Sequence, residues 1–381
     1  MAASSVRRLH SFLIFSTPSS PIGRRTTMSS TSHLAHNNTL TLLQRIQALD
    51  KSSLASTYTP LVLFHPSSSS QYAVVGHVQN SFMHSTLLNC RNDQGEPIFV
   101  QERLPNQVGI LKDVLRLKVD VQYEHEKSST SDAYRPADLF QKRTETFAHA
   151  TNQLITRKHS DIYAVRPFKD YIDSTNDNSE VLAHINRSMA PYLGIDSVGV
   201  HLNCFVCENK VVKGIWLAKR ASTKSHHPNF WDTTVAGGQP HNLSLYDNIV
   251  KEAHEEAGVA AEWLRNDESN GAFSDHTNDP LTMTTAKNDG SCMKRSFYYN
   301  FDLEVPGDWR PIPVDGEVEE FRLFTMTELD SELRYGKSLR PAMRAVLLDF
   351  IIRRGLFKEI EGEDDCIELS NAMRRERLSL W

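Results

Sequence analysis

Cysteine is scarce: the chain of 381 residues has five, odd in number and scattered. That excludes a disulfide framework and suits a reducing compartment better than secretion. No apolar run approaches the roughly 18 residues that a membrane-spanning helix needs, so no membrane partner is expected. An excess of positive charge is absent as well. Lys and Arg number 42 against 47 Asp and Glu, a formal net charge of −5, which leaves no global basic field to hold nucleic acid or anionic lipid. There is no internal repeat at a solenoid period. What remains is an ordinary globular composition, 39% hydrophobic, with enough length for two domains and a tail.

Acidic residues are missing altogether from the first 49 positions, which carry Arg7, Arg8, Arg24, Arg25 and Arg45 among many Ser and Thr. This is the composition of an import leader. The stretch VRRLHSFLIF pairs basic residues with Leu9, Phe12, Leu13, Ile14 and Phe15, an amphipathic basic helix too short to span a bilayer. Residues 1–38 are therefore expected to be a transit peptide, with the mitochondrion as destination. The alternatives are the cytoplasm, from an internal start at Met28, or the chloroplast in a plant. A disordered Ser-rich leader without an address is the plainer reading.

Beyond the leader, TLTLLQRIQALD has helical spacing, and LVLF and YAVVGHV read as strands around a loop at Ser67–Ser70. Residues 114–142 look helical, interrupted by the polar EHEKSSTSD. The polar DYIDSTNDNSE precedes HINRSMAPYLGI, which reads as a helix, and SVGVHLNCFV, a buried strand. The expected division is thus a mixed α+β domain at 39–180, a second domain at 181–356, and a charged tail or peripheral helix at 357–381.

Residues 216–259 carry the chemistry. Ser244 followed by Asp247 fits a capping box, and Gly258 fits a left-handed C-terminal cap. Between them Leu245, Ile249, Ala253 and Ala257 recur every four residues and form a packing side. Glu252, Glu255 and Glu256 crowd the adjacent arc, with Glu256 on the apolar border, where an unpaired charge is costly. A divalent cation removes that cost. Hard oxygen donors at this density favour Mg²⁺, with Mn²⁺ as the substitute, over zinc. Gly237 and Gly238 permit close backbone approach in the preceding loop, so Gly237 is counted with the metal site and the combination suggests phosphate chemistry.

These residues resemble the Nudix hydrolase signature: Gly, five residues, Glu, seven residues, then Arg-Glu-U-x-Glu-Glu-x-Gly-U, with U aliphatic. Gly237 takes the opening position and residues 251–259, KEAHEEAGV, the closing block. Leu243 stands where the first Glu belongs and Lys251 replaces Arg, so the salt bridge that usually ties loop to helix is expected to be lost. The three metal-ligand carboxylates persist. The wider runs GVHLNCFV, IWLAKR, WDTTVAGG, PVDGEVEEFRLF and LRPAMRAVLLDFIIRRG look like the thiamine pyrophosphokinase-related Nudix subgroup, which has an extra N-terminal domain. The resemblance implies an α+β protein whose Nudix fold, a mixed β-sheet sandwiched between helices, follows a small mixed α+β domain. It also implies a Mg²⁺-dependent hydrolase that converts thiamine diphosphate-like compounds, especially oxo- and oxythiamine diphosphate, to monophosphates in metabolite repair. The alternatives are a pyrophosphatase acting on another nucleoside diphosphate derivative such as ADP-ribose, a non-catalytic diphosphate-binding module and, last, an isomerase on the same scaffold.

Hydrolysis needs a base near the attacking water. Glu317 is the first candidate, because Asp315 and Gly316 suggest a turn that presents it, and Glu319, Glu320 and Glu252 follow. Lys219, Arg220 and Lys224 lie where a strand end could deliver them to a diphosphate. Trp231, Phe230, Tyr298, Tyr299 and Phe321 are candidates to stack on the substrate ring, Trp231 and Tyr298 foremost. Cys204 and Cys207 form a CxxC whose side chains should point to opposite faces of a strand, and His226 and His227 lack a third ligand, so neither pair is read as a metal site. The expected partner is a small-molecule diphosphate, and the oligomeric state is left open.

Overall fold

In the computed structural model the described residues are 42–47, 57–65, 72–106, 110–129, 136–156, 171–175, 181–264, 272–286, 292–356 and 364–374. The expected leader and the serine loop at 67–70 lie outside them. Residues 40–381 form one compact unit, with α1 (Leu42–Gln47) at its start.

A four-stranded mixed sheet comes first, built from β1 (Tyr58–Phe64), β2 (Tyr72–Gln79), β3 (Phe99–Pro105) and β4 (Leu111–Leu117) in the order β2-β1-β4-β3. β1 pairs antiparallel with β2 and parallel with β4. Helix α2 (Asn80–Ser85) follows β2, and α3 (Lys118–Ser129) and α4 (Pro136–Thr156) follow β4. Two readings of this region need correcting. The helical look of residues 114–117 gives way to a strand, because Val114, Leu115 and Leu117 are buried between the neighbouring β3 and β1, a partner far away in sequence. The polar EHEKSS, expected to interrupt the helix, is instead the end of α3. The helices are tied to the sheet by charge: Arg143 on α4 meets Asp120 on α3 at 2.7 Å, and Asp120 accepts from the Phe64 N–H at 2.8 Å.

The hairpin of β5 (Tyr171–Thr175) and β6 (Val181–Asn186) leads to the short α5 (Ala190–Leu193). The single helix expected over HINRSMAPYLGI is therefore a strand, a turn and one helical turn. Asn186 accepts from the Ser188 N–H at 3.0 Å and stops the strand, while Gly194, left-handed at φ 61°, stops the helix. Leu182, Ala183, Ile185, Met189, Ala190 and Leu193 pack in the core of the first sheet.

The second sheet has the path β11-β12-β7-β8-β13, made of β7 (Ser197–Glu208), β8 (Val211–Arg220), β11 (Phe273–Ala286), β12 (Met293–Glu304) and β13 (Val318–Thr325). Two short strands, β9 (Trp231–Asp232) and β10 (Val235–Gly238), pair with β8 and β7. β12 runs parallel to β7, and the other pairs in the path are antiparallel. Alternation along β7 sends Val200, Leu202 and Cys204 to the face covered by α6 (Leu245–Ala257). The opposite face is covered by α7 (Met326–Arg334), α8 (Met343–Arg353) and α9 (Asp364–Met373). Cys204 and Cys207 thus pack in different cores, as the strand period requires. The charged tail is a docked helix through residue 373, with Leu369 and Met373 buried, and Leu43 of α1 packs in the same core. A mixed sheet between helices, preceded by a smaller mixed α+β unit, is the expected fold class. No helix among the described residues is long and apolar enough to cross a membrane.

Candidate active site

Helix α6 is framed as its sequence requires. The Ser244 hydroxyl accepts from the Asp247 N–H at 3.0 Å, and Gly258 closes the helix at φ 65°. Ile249, Ala253 and Ala257 are fully buried against the sheet, which fixes where the glutamates stand. Glu255 is exposed and Glu252 half-buried, while Glu256 keeps only 7% of its surface and accepts from the Ala236 N–H at 2.9 Å. Burial raises the Glu256 carboxyl well above its ordinary range, and the charges of Glu252, Asp232 and Glu317 add to the rise. Glu252 is raised by the same cause, opposed by Lys251. Lys251 bridges Glu252 at 3.2 Å and Glu255 at 2.7 Å.

Gly237 lies directly against Glu252. A Cβ at that position would sit 2.6 Å from the Glu252 Cδ and collide with the Cγ, so only glycine lets strand β10 approach the helix this closely. The link expected to be lost with Leu243 and Lys251 is replaced by amides. The buried Asn248 side chain donates to the Gly238 carbonyl and to Gln239 Oε1, both at 3.1 Å. Gln239 in turn donates to the Leu243 carbonyl at 2.6 Å. Two neutral side chains thereby hold loop to helix without an ion pair.

Opposite Glu256 stand Asp315 and Glu317, and carboxylate oxygens of all three lie within 4.8 Å of one another. The Glu317 N–H donates to Asp315 Oδ1 at 2.8 Å, which is the turn read from the sequence. Glu317 pairs with Lys224. Glu319 and Glu320 instead meet Lys219 along the β8–β13 edge, at 3.8 and 3.0 Å. A cleft is lined by Arg220, Lys224, Asp232, Glu256 and Glu317, so Arg220 and Lys224 reach it and Lys219 does not. The buried Asp232 accepts from Arg220 at 3.0 Å and from Arg340 at 3.1 Å. Those two guanidiniums and His201 hold the Asp232 carboxyl below its usual value against the effect of burial. His201 is itself buried and lowered to about 3.

The aromatic candidates are placed elsewhere. Tyr298 is 8% exposed and stands edge-on to His201 with ring centroids 5.1 Å apart. Trp231 packs edge-on to Phe324 at 5.1 Å, and Tyr299 and Phe321 pack against the core under α6. Among the described residues neither the CxxC nor His226 and His227 belongs to a group that could hold a metal. Sequence reasoning missed Asp232 and Arg340 altogether and read Asp315 only as a turn former. The sole signal for Asp315 was its place two residues ahead of Glu317, across a glycine.

The donor set is suited to a hard divalent cation. Its donors are carboxylate oxygens, and one of them, Glu256, is buried without an ion-pair partner among the described residues.

Residues 199–346 match the family model of the NUDIX domain, so this segment is a Nudix domain. Over 199 residues the chain is 33% identical to Nudix hydrolase 20, chloroplastic, of Arabidopsis thaliana, across 52% of this chain and 48% of that one. It is 30% identical to Nudix hydrolase 24, chloroplastic, of the same plant, across 58% of this chain and 57% of that one. An uncharacterized protein of Saccharomyces cerevisiae is 29% identical across 61% of this chain and 70% of its own length. The chain thus spans about half the length of the two plant relatives it matches.

Proposed function

We propose that this Nudix-domain protein is a divalent-cation-dependent hydrolase of small-molecule diphosphates. Its preferred substrates are thiamine diphosphate-like compounds, oxo- and oxythiamine diphosphate foremost, which it converts to monophosphates. The observation that carries the reading is Glu256, a buried carboxylate with no ion-pair partner among the described residues, beside two further glutamates on α6. Such an arrangement is costly in a structural role and useful where a cation and a phosphate meet. Glu252, Glu255 and Glu256 would hold Mg²⁺, with the Gly237 backbone beside them and Asp315 and Glu317 across the cleft. When bound, Mg²⁺ offsets charge on the phosphate oxygens and eases deprotonation of water.

The protein's own groups do the rest. The water oxygen bonds to phosphorus, the bridging P–O bond breaks, and the phosphate that leaves carries its electron pair. Glu252, half-buried beside the Gly237 backbone, accepts the water's proton. Glu317, tied to Lys224 across the cleft, serves to position the water. Arg220 and Lys224 line the cleft as donors to phosphate oxygens. The half-exposed edges of Trp231 and Phe230 are the aromatic surfaces left to meet a substrate ring, since Tyr298 is committed to the core. The two plant relatives are chloroplastic by name, which favours a chloroplast address for the leader over a mitochondrial one.

The test is phosphate release by the purified protein with Mg²⁺ from thiamine diphosphate, oxythiamine diphosphate, ADP-ribose and a nucleoside triphosphate in parallel. Release led by the thiamine compounds supports the reading, and release led by ADP-ribose replaces its substrate. No release from any of the four would make the domain a diphosphate-binding module.

A further inference from the structure

The two cations that line the cleft are balanced differently. Lys224 pairs with Glu317, one charge against one. Arg220 meets Asp232 at 3.0 Å, but the same carboxylate oxygen also accepts from Arg340 at 3.1 Å. Asp232 keeps 2% of its surface, and its other oxygen accepts from the Thr233 N–H at 3.0 Å. Two guanidiniums thus share one buried carboxylate, and the group of three keeps a positive charge in excess.

Arg220 is also fixed in orientation. Its Nη1 faces Asp232, while Nε and Nη2 both donate to the His226 carbonyl, at 3.3 and 3.2 Å. The connection from β8 to β9 delivers that carbonyl by folding back on Arg220, whose N–H donates to the Phe230 carbonyl at 2.9 Å. Within the connection His227 and Asn229 hold left-handed φ values of 50° and 61°, which are costly for side-chain-bearing residues and persist where the surroundings impose them. Three of the five guanidinium N–H groups are used in this way, which leaves two for a ligand in the cleft that Arg220 lines. Arg340 arrives from far along the chain. The segment between α7 and α8 forms a parallel bridge with β9, Leu339 to Trp231, in which the Trp231 N–H donates to the Ser338 carbonyl and the Arg340 N–H to the Trp231 carbonyl, each at 2.8 Å. A buried ionic triad is a poor source of stability, because each charge loses its water. What it supplies here is charge and orientation: Asp232 alone would cancel Arg220, and Arg340 prevents that.

We propose that Asp232 and Arg340 are positioning residues for diphosphate binding. Asp232 and the His226 carbonyl hold the planar fork of Arg220 in one orientation toward the phosphoryl groups, and Arg340 keeps that fork from being neutralised by its own anchor. Neither residue has to touch the ligand, since both act through Arg220. That the bound diphosphate is a substrate rests on the function proposed above, whereas the effect of the triad on diphosphate affinity does not.

The experiment is isothermal titration of methylenediphosphonate, whose P–C–P bridge resists hydrolysis, with Mg²⁺ present. It is titrated into the full chain and into its Arg340→Met, Asp232→Asn and Lys213→Met variants and the Asp232→Asn, Arg340→Met double variant, each checked for cooperative melting. Arg340→Met leaves Asp232 to cancel Arg220 and should weaken binding about tenfold. Asp232→Asn keeps an acceptor oxygen for Arg220 and removes a negative charge, so binding should tighten about threefold or more. The double variant restores the wild-type charge count and should bind within about threefold of the wild type. Lys213→Met, on an exposed pair with Glu208, should change nothing. A triad that only supports the fold would give losses in both single variants that accumulate in the double one. That pattern, wild-type affinity in both single variants, or no binding by the wild type would overturn the proposal. If Arg340→Met does not melt cooperatively, the sign of the change in Asp232→Asn decides alone. Turnover separates the two proposals. If the wild type hydrolyses a diphosphate and both single variants bind methylenediphosphonate as it does, the triad is wrong and the activity stands. If the affinities move as expected and no diphosphate is hydrolysed, the activity is wrong and the triad stands.

Discussion

Glu256→Gln separates a carboxylate kept for a cation from one kept for packing. Glu256 is 7% exposed and spends one oxygen on the Ala236 N–H at 2.9 Å. Gln has nearly the same volume and its carbonyl oxygen can still accept that bond, so the substitution removes charge and little else. Relief of an unpaired buried charge is expected to stabilise the cation-free protein by about 1–2 kcal/mol, a rise in Tm of roughly 1–3 °C for a protein of this size. The wild type should instead gain from Mg²⁺, about 2.7 kcal/mol at a hundred times its Kd, and the variant should gain far less. The order of the two proteins therefore reverses between EDTA and Mg²⁺. Differential scanning calorimetry in both media reads the reversal directly. A variant that melts below the wild type in EDTA, or that gains as much from Mg²⁺, would refute the assignment of Glu256 to a cation site.

Asn248→Ala removes both bonds that the helix donates to the loop and leaves the Gly238 carbonyl without its partner; a loss of about 1–3 kcal/mol in urea unfolding should accompany lower kcat, and an unchanged midpoint would show that the amide link carries nothing. Gly237→Ala drives a methyl into Glu252, so activity should fall while far-UV circular dichroism is kept; wild-type rates would contradict the close approach. Acid should weaken the fold through His77, which burial and the nearby Arg295 lower to about 4. The unfolded chain takes up a proton below about 6.5 that the folded His77 refuses, so stability is full above that pH and is lost as pH falls toward 4. Between pH 7 and pH 5 this amounts to about 2 kcal/mol. Urea unfolding of His77→Phe should show a correspondingly shallower pH slope, and an identical slope would exclude His77 as a source.

Helix α6 was legible because everything that specifies it is local. Ser244 and Gly258 cap it, four-residue spacing turns Ile249, Ala253 and Ala257 inward, and that rotation alone puts Glu256 on the buried border. Glu317 was legible through its turn for the same reason. Asp232 and Arg340 were not, since the pairing of Trp231 with Leu339 brings them together across a long stretch of chain. The aromatic candidates went astray for a different reason. The second sheet is covered on both faces, so a Tyr such as Tyr298 meets a core whichever way it points, and composition does not distinguish a ligand-facing ring from a packed one. Residues 114–117 misled because a short apolar run reads equally as helix or buried strand, and only parallel pairing with β1 decides it. The link between box loop and helix was misread because attention fell on the missing ion pair, while Gln239 and Asn248 supply the same restraint with neutral groups.

The most direct measurement is the initial rate of phosphate release from the best diphosphate substrate, at saturating Mg²⁺, by the wild type and by Glu252→Gln and Glu256→Gln. The account predicts release by the wild type and a fall of about 10²–10⁴-fold in each variant, with both variants melting cooperatively. Wild-type rates in either variant would contradict the glutamate edge of α6 as the seat of hydrolysis.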